Sequence, residues 1–136
     1  MQYALLIYSQ PPQSEPSPDE LKQVTDAYNV FTKALVDGGA MRGGEALQDG
    51  KTATTVRNRD GRTLVTDGPF AETKEEFGGY YIVEAASLDE ALKWAAQCPG
   101  ANWGSIEVRP VWETTGGMDA AGPGMDAARE RVGATA

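Results

Sequence analysis

The spacing of apolar positions changes several times along the chain, and each change marks an element. "QYALLIY", residues 2–8, is a short apolar run that reads as a strand. Tyr3, Leu5 and Ile7 fall on one face and Ala4, Leu6 and Tyr8 on the other, so both faces require cover. "SQPPQSEPSPDE" holds four of the eight prolines and reads as a loop. Ser17, Pro18 and Glu20 then form a helix-start signature, a capping box with proline at the first helical position. The helix carries Leu21, Val24, Tyr28, Phe31 and Leu35, one stripe on a 3.6-residue period, and ends at Gly38-Gly39.

"MRGGEALQDGK", residues 41–51, has no period and reads as irregular. "TATTVRNRDGRTLVT" reads as a hairpin whose Gly61 supplies positive φ in the turn. "GYYIVEA", residues 79–85, is a further strand. Ser87 and Glu90 repeat the capping box before a helix with Leu88, Ala91, Leu92 and Ala95 that stops at "CPG". "SIEVRPVWE", residues 105–113, is the last strand, and Pro110 assigns it to a sheet edge or a bulge. The order β-α-(β-β)-β-α-β predicts an α+β fold of two split β-α-β units, ferredoxin-like, with both helices on one face of the sheet. A first strand that is apolar on both faces predicts a second sheet against it and hence a homodimer. One domain spans 1–113, and the Gly- and Ala-rich segment 114–136 reads as a flexible tail.

Composition narrows the chemistry. The chain of 136 residues suits a single domain with a real core. Its net charge of −8 and scattered cations disfavour nucleic acid and anionic membrane surfaces as partners. No apolar run is long enough to span a bilayer, and a single cysteine excludes an internal disulfide, so a cytoplasmic protein is expected. There is no histidine, which removes Ser-His-Asp and Cys-His catalysis and histidine-ligated metals. No metal site is expected. No glycine-rich phosphate loop has the required spacing, so no cofactor is expected either.

The stretch "ATTVRNRDGRTLVTDGPFAETKEEFGGYYIVEAASLDEALKWAAQCPGA" resembles the DGPF-type members of the YCII-related family. "TDGPFAETKE" carries most of the likeness, which extends from about Met1 to Trp112. The resemblance implies a dimeric α/β barrel built from two ferredoxin-like sheets. It also implies a mixed set of roles: one branch eliminates chloride from chlorinated hydroxyquinols, and bacterial members are often encoded beside extracytoplasmic-function sigma factors. Relatives in the broader family have a His-Asp pair in a cleft. That pair is missing here, where Cys98 stands before the helix-ending proline in place of the aspartate.

Two readings of Asp67-Gly68-Pro69-Phe70 follow. In one it is a structural turn, with Asp67 bonding the backbone and Phe70 plugging the core. In the other it walls a small-molecule cleft. The ligand-binding candidates are then Asp67, Phe70, Glu72, Lys74, Tyr8 and Tyr80, with Asp67 and Glu72 as the candidate acid-base pair. Arg42, Arg57 and Arg109 read as surface charge that could receive an anion, and Trp94, Trp103 and Trp112 as packing residues. Cys98, at a helix C-terminus, reads as an inert thiol. The two function classes are therefore a small-molecule-binding protein or enzyme and a non-catalytic module that accompanies a partner such as a sigma factor.

Overall fold

A computed structural model describes residues 1–112, and the tail read at 114–136 lies outside them. Four strands form one antiparallel sheet: β1 (Gln2–Ser9), β2 (Met41–Ala46), β5 (Glu76–Glu84) and β6 (Ser105–Pro110), in the order β2-β5-β1-β6. Helix α1 (Pro18–Asp37) connects β1 to β2, and α2 (Leu88–Gln97) connects β5 to β6. Each helix thus joins two strands that share a central antiparallel neighbour, which fits a ferredoxin-like α+β arrangement. Strands β3 (Thr54–Arg59) and β4 (Arg62–Asp67) form a separate two-stranded sheet and, among the described residues, pair only with each other.

The capping boxes form as the sequence predicts. Ser17 Oγ accepts from Glu20 N at 3.1 Å, and Ser87 Oγ accepts from Glu90 N at 3.2 Å. Gly39, at φ 70°, takes the left-handed position that closes α1. One core joins both helices to one sheet face: Tyr3 and Leu5 of β1, Val83 of β5, Phe31 and Leu35 of α1, and Ala91 and Ala95 of α2. Alternation places Ala4, Leu6 and Tyr8 of β1, with Tyr80 and Ile82 of β5, on the opposite face, and these are only half-buried.

Residues 41–46, read from sequence as irregular, are the edge strand β2. The glycines that erase the strand signal are what permit the pairing. A Cβ on Gly44 would lie 2.6 Å from Tyr80 O, and one on Gly79 would lie 2.8 Å from Glu45 O. β6 ends at Pro110 rather than 113 and occupies the other edge, where the missing proline N–H is harmless. The apolar stripe of α1 also divides. Phe31 and Leu35 are in the core, but Leu21 and Val24 are 53% and 42% exposed. On α2 the alanines face the core, while Leu88 and Leu92 point outward. Trp103 and Trp112 are exposed; of the three tryptophans only Trp94 packs, with its ring over Gly38.

Candidate functional site

The division of the α1 stripe opens a cleft of about 590 Å³ between α1 and the β2-β5 side of the sheet. Helix α1 contributes Val24, Thr25, Tyr28, Asn29 and Thr32, one turn after another along one side. The sheet contributes Ile7, Met41, Gly44, Glu45 and Tyr81, and Trp103 stands at the margin. Gly44 matters twice: it brings β2 against β5 and leaves the wall without a side chain at that point.

The polar side chains of the cleft are hydroxyls and an amide; Glu45 borders it from β2 with its side chain on the face of Tyr80, and no cation is among the lining residues. Tyr81 and Thr32 share a hydroxyl–hydroxyl hydrogen bond of 2.9 Å, and the Tyr81 ring stands edge-on to Phe31 at 5.1 Å between centroids. Burial pushes the Tyr81 phenol up, and the Thr32 hydrogen bond offsets this only in part. Tyr28 is displaced further in the same direction. Burial is the main cause, followed by the neighbouring Cys98 thiol. Its hydroxyl comes so close to Gly100 that a Cβ there would lie 2.8 Å away. Cys98 is fully buried, and that burial pushes its thiol up. Both phenols and the thiol therefore keep their protons at neutral pH. The site offers hydroxyl donors and acceptors in an apolar setting, not a phenolate or thiolate nucleophile.

The residues singled out from the sequence are spread over three places. Tyr80 borders the cleft by its position in β5, while the register turns its side chain to the open sheet face. Tyr8 lies on the open sheet face and packs against Phe77 at 5.5 Å between ring centroids. Asp67, at the end of β4, and Phe70, Glu72 and Lys74, in the following loop, lie outside the cleft lining and are exposed within the chain. Phe70 does not plug the core: it is 77% exposed. The loop is held outward by its own hairpin, where Thr55 Oγ1 donates to Gly68 O at 2.8 Å and Arg57 Nη2 donates to Phe70 O at 3.0 Å. Gly68 N also donates to Ala53 O at 2.7 Å. Arg42 and Arg109 serve local contacts, to Gly39 and Met41 carbonyls and to Glu107.

Sequence reasoning did not assign Thr32, Asn29 and Met41 to the site. The available signal was Tyr28 with Thr32 one turn later, two hydroxyls on or beside an otherwise apolar stripe. Gly44 beside a strand gave a second signal, of close backbone approach.

Comparison with known proteins places the chain in a family. The family profile of the YCII-related domain matches residues 1–115. An uncharacterised protein of Rhizobium meliloti is 40% identical over 114 residues, covering 82% of this chain and 92% of that protein. Among solved structures, a 5-chloro-2-hydroxyhydroquinone dehydrochlorinase from Burkholderia phenoliruptrix, in complex with 2,5-dihydroxybenzoquinone, matches with a TM-score of 0.44. It is 17% identical, and the match covers 85% of this chain and 96% of that one.

Proposed function

The chain belongs to the YCII-related domain family, and from that premise we propose that it is a small-molecule-binding protein acting as a homodimer. The ligand sits in the cleft between α1 and the β2-β5 side of the sheet. The observation that carries this reading is the character of the lining. Ile7, Met41, Val24 and Trp103 supply apolar surface, while Tyr28, Asn29, Thr32 and Tyr81 supply convergent neutral polar groups. With no cation among its residues, such a lining favours a neutral, ring-sized molecule with hydroxyl or carbonyl groups over an anion.

The homodimer reading is supported by the second sheet face. Ala4, Leu6, Tyr8, Tyr80 and Ile82 lie at alternate positions that no helix among the described residues covers. A second copy packed face to face would bury them and build a dimeric α/β barrel. Tyr28, Tyr81 and Cys98 keep their protons there, so they would act on a ligand as neutral hydrogen-bonding groups.

Calorimetric titration with neutral phenols and quinols, alongside matched aromatic carboxylates, tests the cleft. We expect binding of the neutral set, weakened by Tyr81→Phe and abolished by Asn29→Trp, which fills the cleft from an exposed helix position. Asp67→Asn should leave binding unchanged. If Asp67→Asn removes binding and Asn29→Trp does not, the site belongs to the loop after β4 and the cleft reading fails.

A further inference from the structure

The cleft between α1 and the β2-β5 side of the sheet is not uniform along its length. Val24, Thr25 and Asn29, on the earlier turns of α1, are open to water, and so is Trp103. Thr32, further along the helix, is half-buried, as are Tyr81 and Met41 on the sheet. The two ends therefore offer a ligand different things.

The inner end carries the Thr32–Tyr81 hydroxyl pair, with its oxygens 2.9 Å apart. Either oxygen can be the donor, and among the described residues this is the one hydrogen bond that each side chain makes. Two hydroxyls bring two protons, and the bond between them uses one. The pair keeps one proton to donate and lone pairs to accept with, so it can hold a carbonyl oxygen or a hydroxyl group. Burial makes such a bond count, because water competes less there. Gly44 shapes the space beside it. A Cβ at Gly44 would lie 3.2 Å from Cδ1 of Tyr81, so the missing side chain leaves the flank of that ring open. Tyr28 adds a second ring, but its hydroxyl is set against the turn that follows α2. A Cβ on Gly100 would lie 2.8 Å from it, and the Cys98 thiol is its other neighbour. It has less to give a ligand than the Thr32–Tyr81 pair.

The outer end is different. Val24 and Trp103 are the exposed large apolar residues of the lining. The backbone at Trp103 is held in place: Trp103 N donates to Gly100 O at 3.3 Å, and Gly104 N donates to the same oxygen at 2.8 Å. Thr25 and Asn29 are polar, but water already satisfies them, so exchanging that water for a ligand hydroxyl gains little. An apolar group placed there gains by leaving water.

We propose that the cleft takes a singly oxygenated ring in one direction: its hydroxyl or carbonyl oxygen on the Thr32–Tyr81 pair, its ring in the space that Gly44 leaves open, and an alkyl substituent pointing outward to Val24 and Trp103. This rests on the cleft reading and narrows its ligand class to para-alkylated phenols and the matching aryl ketones. The second oxygen of a quinol would meet water at the outer end rather than protein.

Calorimetric titration with phenol, 4-ethylphenol and hydroquinone tests the direction. 4-Ethylphenol should bind about tenfold more tightly than hydroquinone. Val24→Ser with Trp103→Ser should bring the ratio of 4-ethylphenol to phenol affinity close to one. Thr32→Val, which keeps the shape of the side chain, and Tyr81→Phe should each weaken both phenols about tenfold while preserving that ratio. The double variant should lose little more than either single one, because the two hydroxyls act as a unit. Tyr28→Phe should weaken binding less than Tyr81→Phe does. Thermal melting of each variant without ligand separates a lost fold from lost recognition. Hydroquinone binding as tightly as 4-ethylphenol overturns the direction and leaves the cleft reading standing, and so does a loss from Tyr28→Phe as large as that from Tyr81→Phe. Binding of 4-ethylphenol that survives Asn29→Trp puts the ligand elsewhere and overturns the cleft reading itself. A wild-type chain that binds none of the three overturns both.

Discussion

The main sheet and the β3–β4 hairpin are both antiparallel, yet they hold their shape for different reasons. In the main sheet, β1 and β5 put Leu5 and Val83 at zero exposure against α1 and α2. In the hairpin, Val56, Leu64 and Val65 are 61%, 47% and 65% exposed. Local pairing is therefore enough to shape a ribbon, but only a shared apolar layer turns strands into a domain. The difference should show as two separate stabilities in one chain.

The largest expected effect is in the core. Leu35→Ala removes a fully buried side chain and should cost about 2–5 kcal/mol, read as a lower midpoint in urea with unchanged slope. Val65→Ala, the hairpin counterpart, should leave the midpoint of the dilute chain almost where it is. An equal loss from both would break the comparison, since it would make the hairpin part of the same cooperative unit.

Next comes the β2-β5 junction. Gly44→Ala forces a methyl to within 2.6 Å of Tyr80 O, a backbone atom that cannot swing aside. We expect a loss of about 1–3 kcal/mol and a narrowed cleft. A Gly43→Ala control should be far milder, because nothing lies within 4 Å of that position. Gly61→Ala probes the hairpin in the same way. Gly61 sits at φ 75° after Asp60 at φ 52°, a two-residue turn that favours glycine. The substitution should cost about 1 kcal/mol locally. It should appear as faster amide exchange in β3 and β4 without a matching change in β1 and β5.

The smallest effect is electrostatic. The Met1 ammonium lies 2.6 Å from Glu84 Oε1. The hydrogen bond to that ammonium, helped by its charge and by Arg42, holds the Glu84 carboxyl below its usual range. A depressed folded pKa means the pair stabilises the fold above the unfolded carboxylate pKa and loses that contribution as the pH falls through the folded value. Glu84→Gln should therefore lower the melting temperature slightly at neutral pH and not at all in strong acid. The exposure of the pair keeps the effect small. A difference that persists in strong acid would assign it to something other than this ion pair.

Much of the architecture was legible from the sequence. The capping boxes at Ser17 and Ser87, the Gly38-Gly39 stop and the Asp60-Gly61 turn each depend on a few neighbouring residues, and local rules read local features well. The mixed α+β class followed from the repeated strand-then-capped-helix pattern. Strand β2 was not legible, because its glycines serve a close backbone approach to β5 that only the tertiary structure reveals. The site was legible in part. Periodicity identifies the stripe of α1, but it cannot tell that Leu21 and Val24 overhang the core while Phe31 and Leu35 fill it. Phe70 shows the opposite limit: a large aromatic beside a proline reads as a core plug, whereas two side chains of the hairpin fix its loop outward.

The chain leaves the sheet after β2 and returns to it at β5, and these two strands are hydrogen-bonded neighbours, with Ala46 across from Gly79 and Leu47 N still donating to Gly78 O at 2.9 Å. Everything between is a detour that begins and ends at one point of the scaffold. A short turn could close that point, or a foreign loop could be spliced into it, without asking any core side chain to move. The fold is in this sense modular, with a ready-made graft site at the end of the β2-β5 pair.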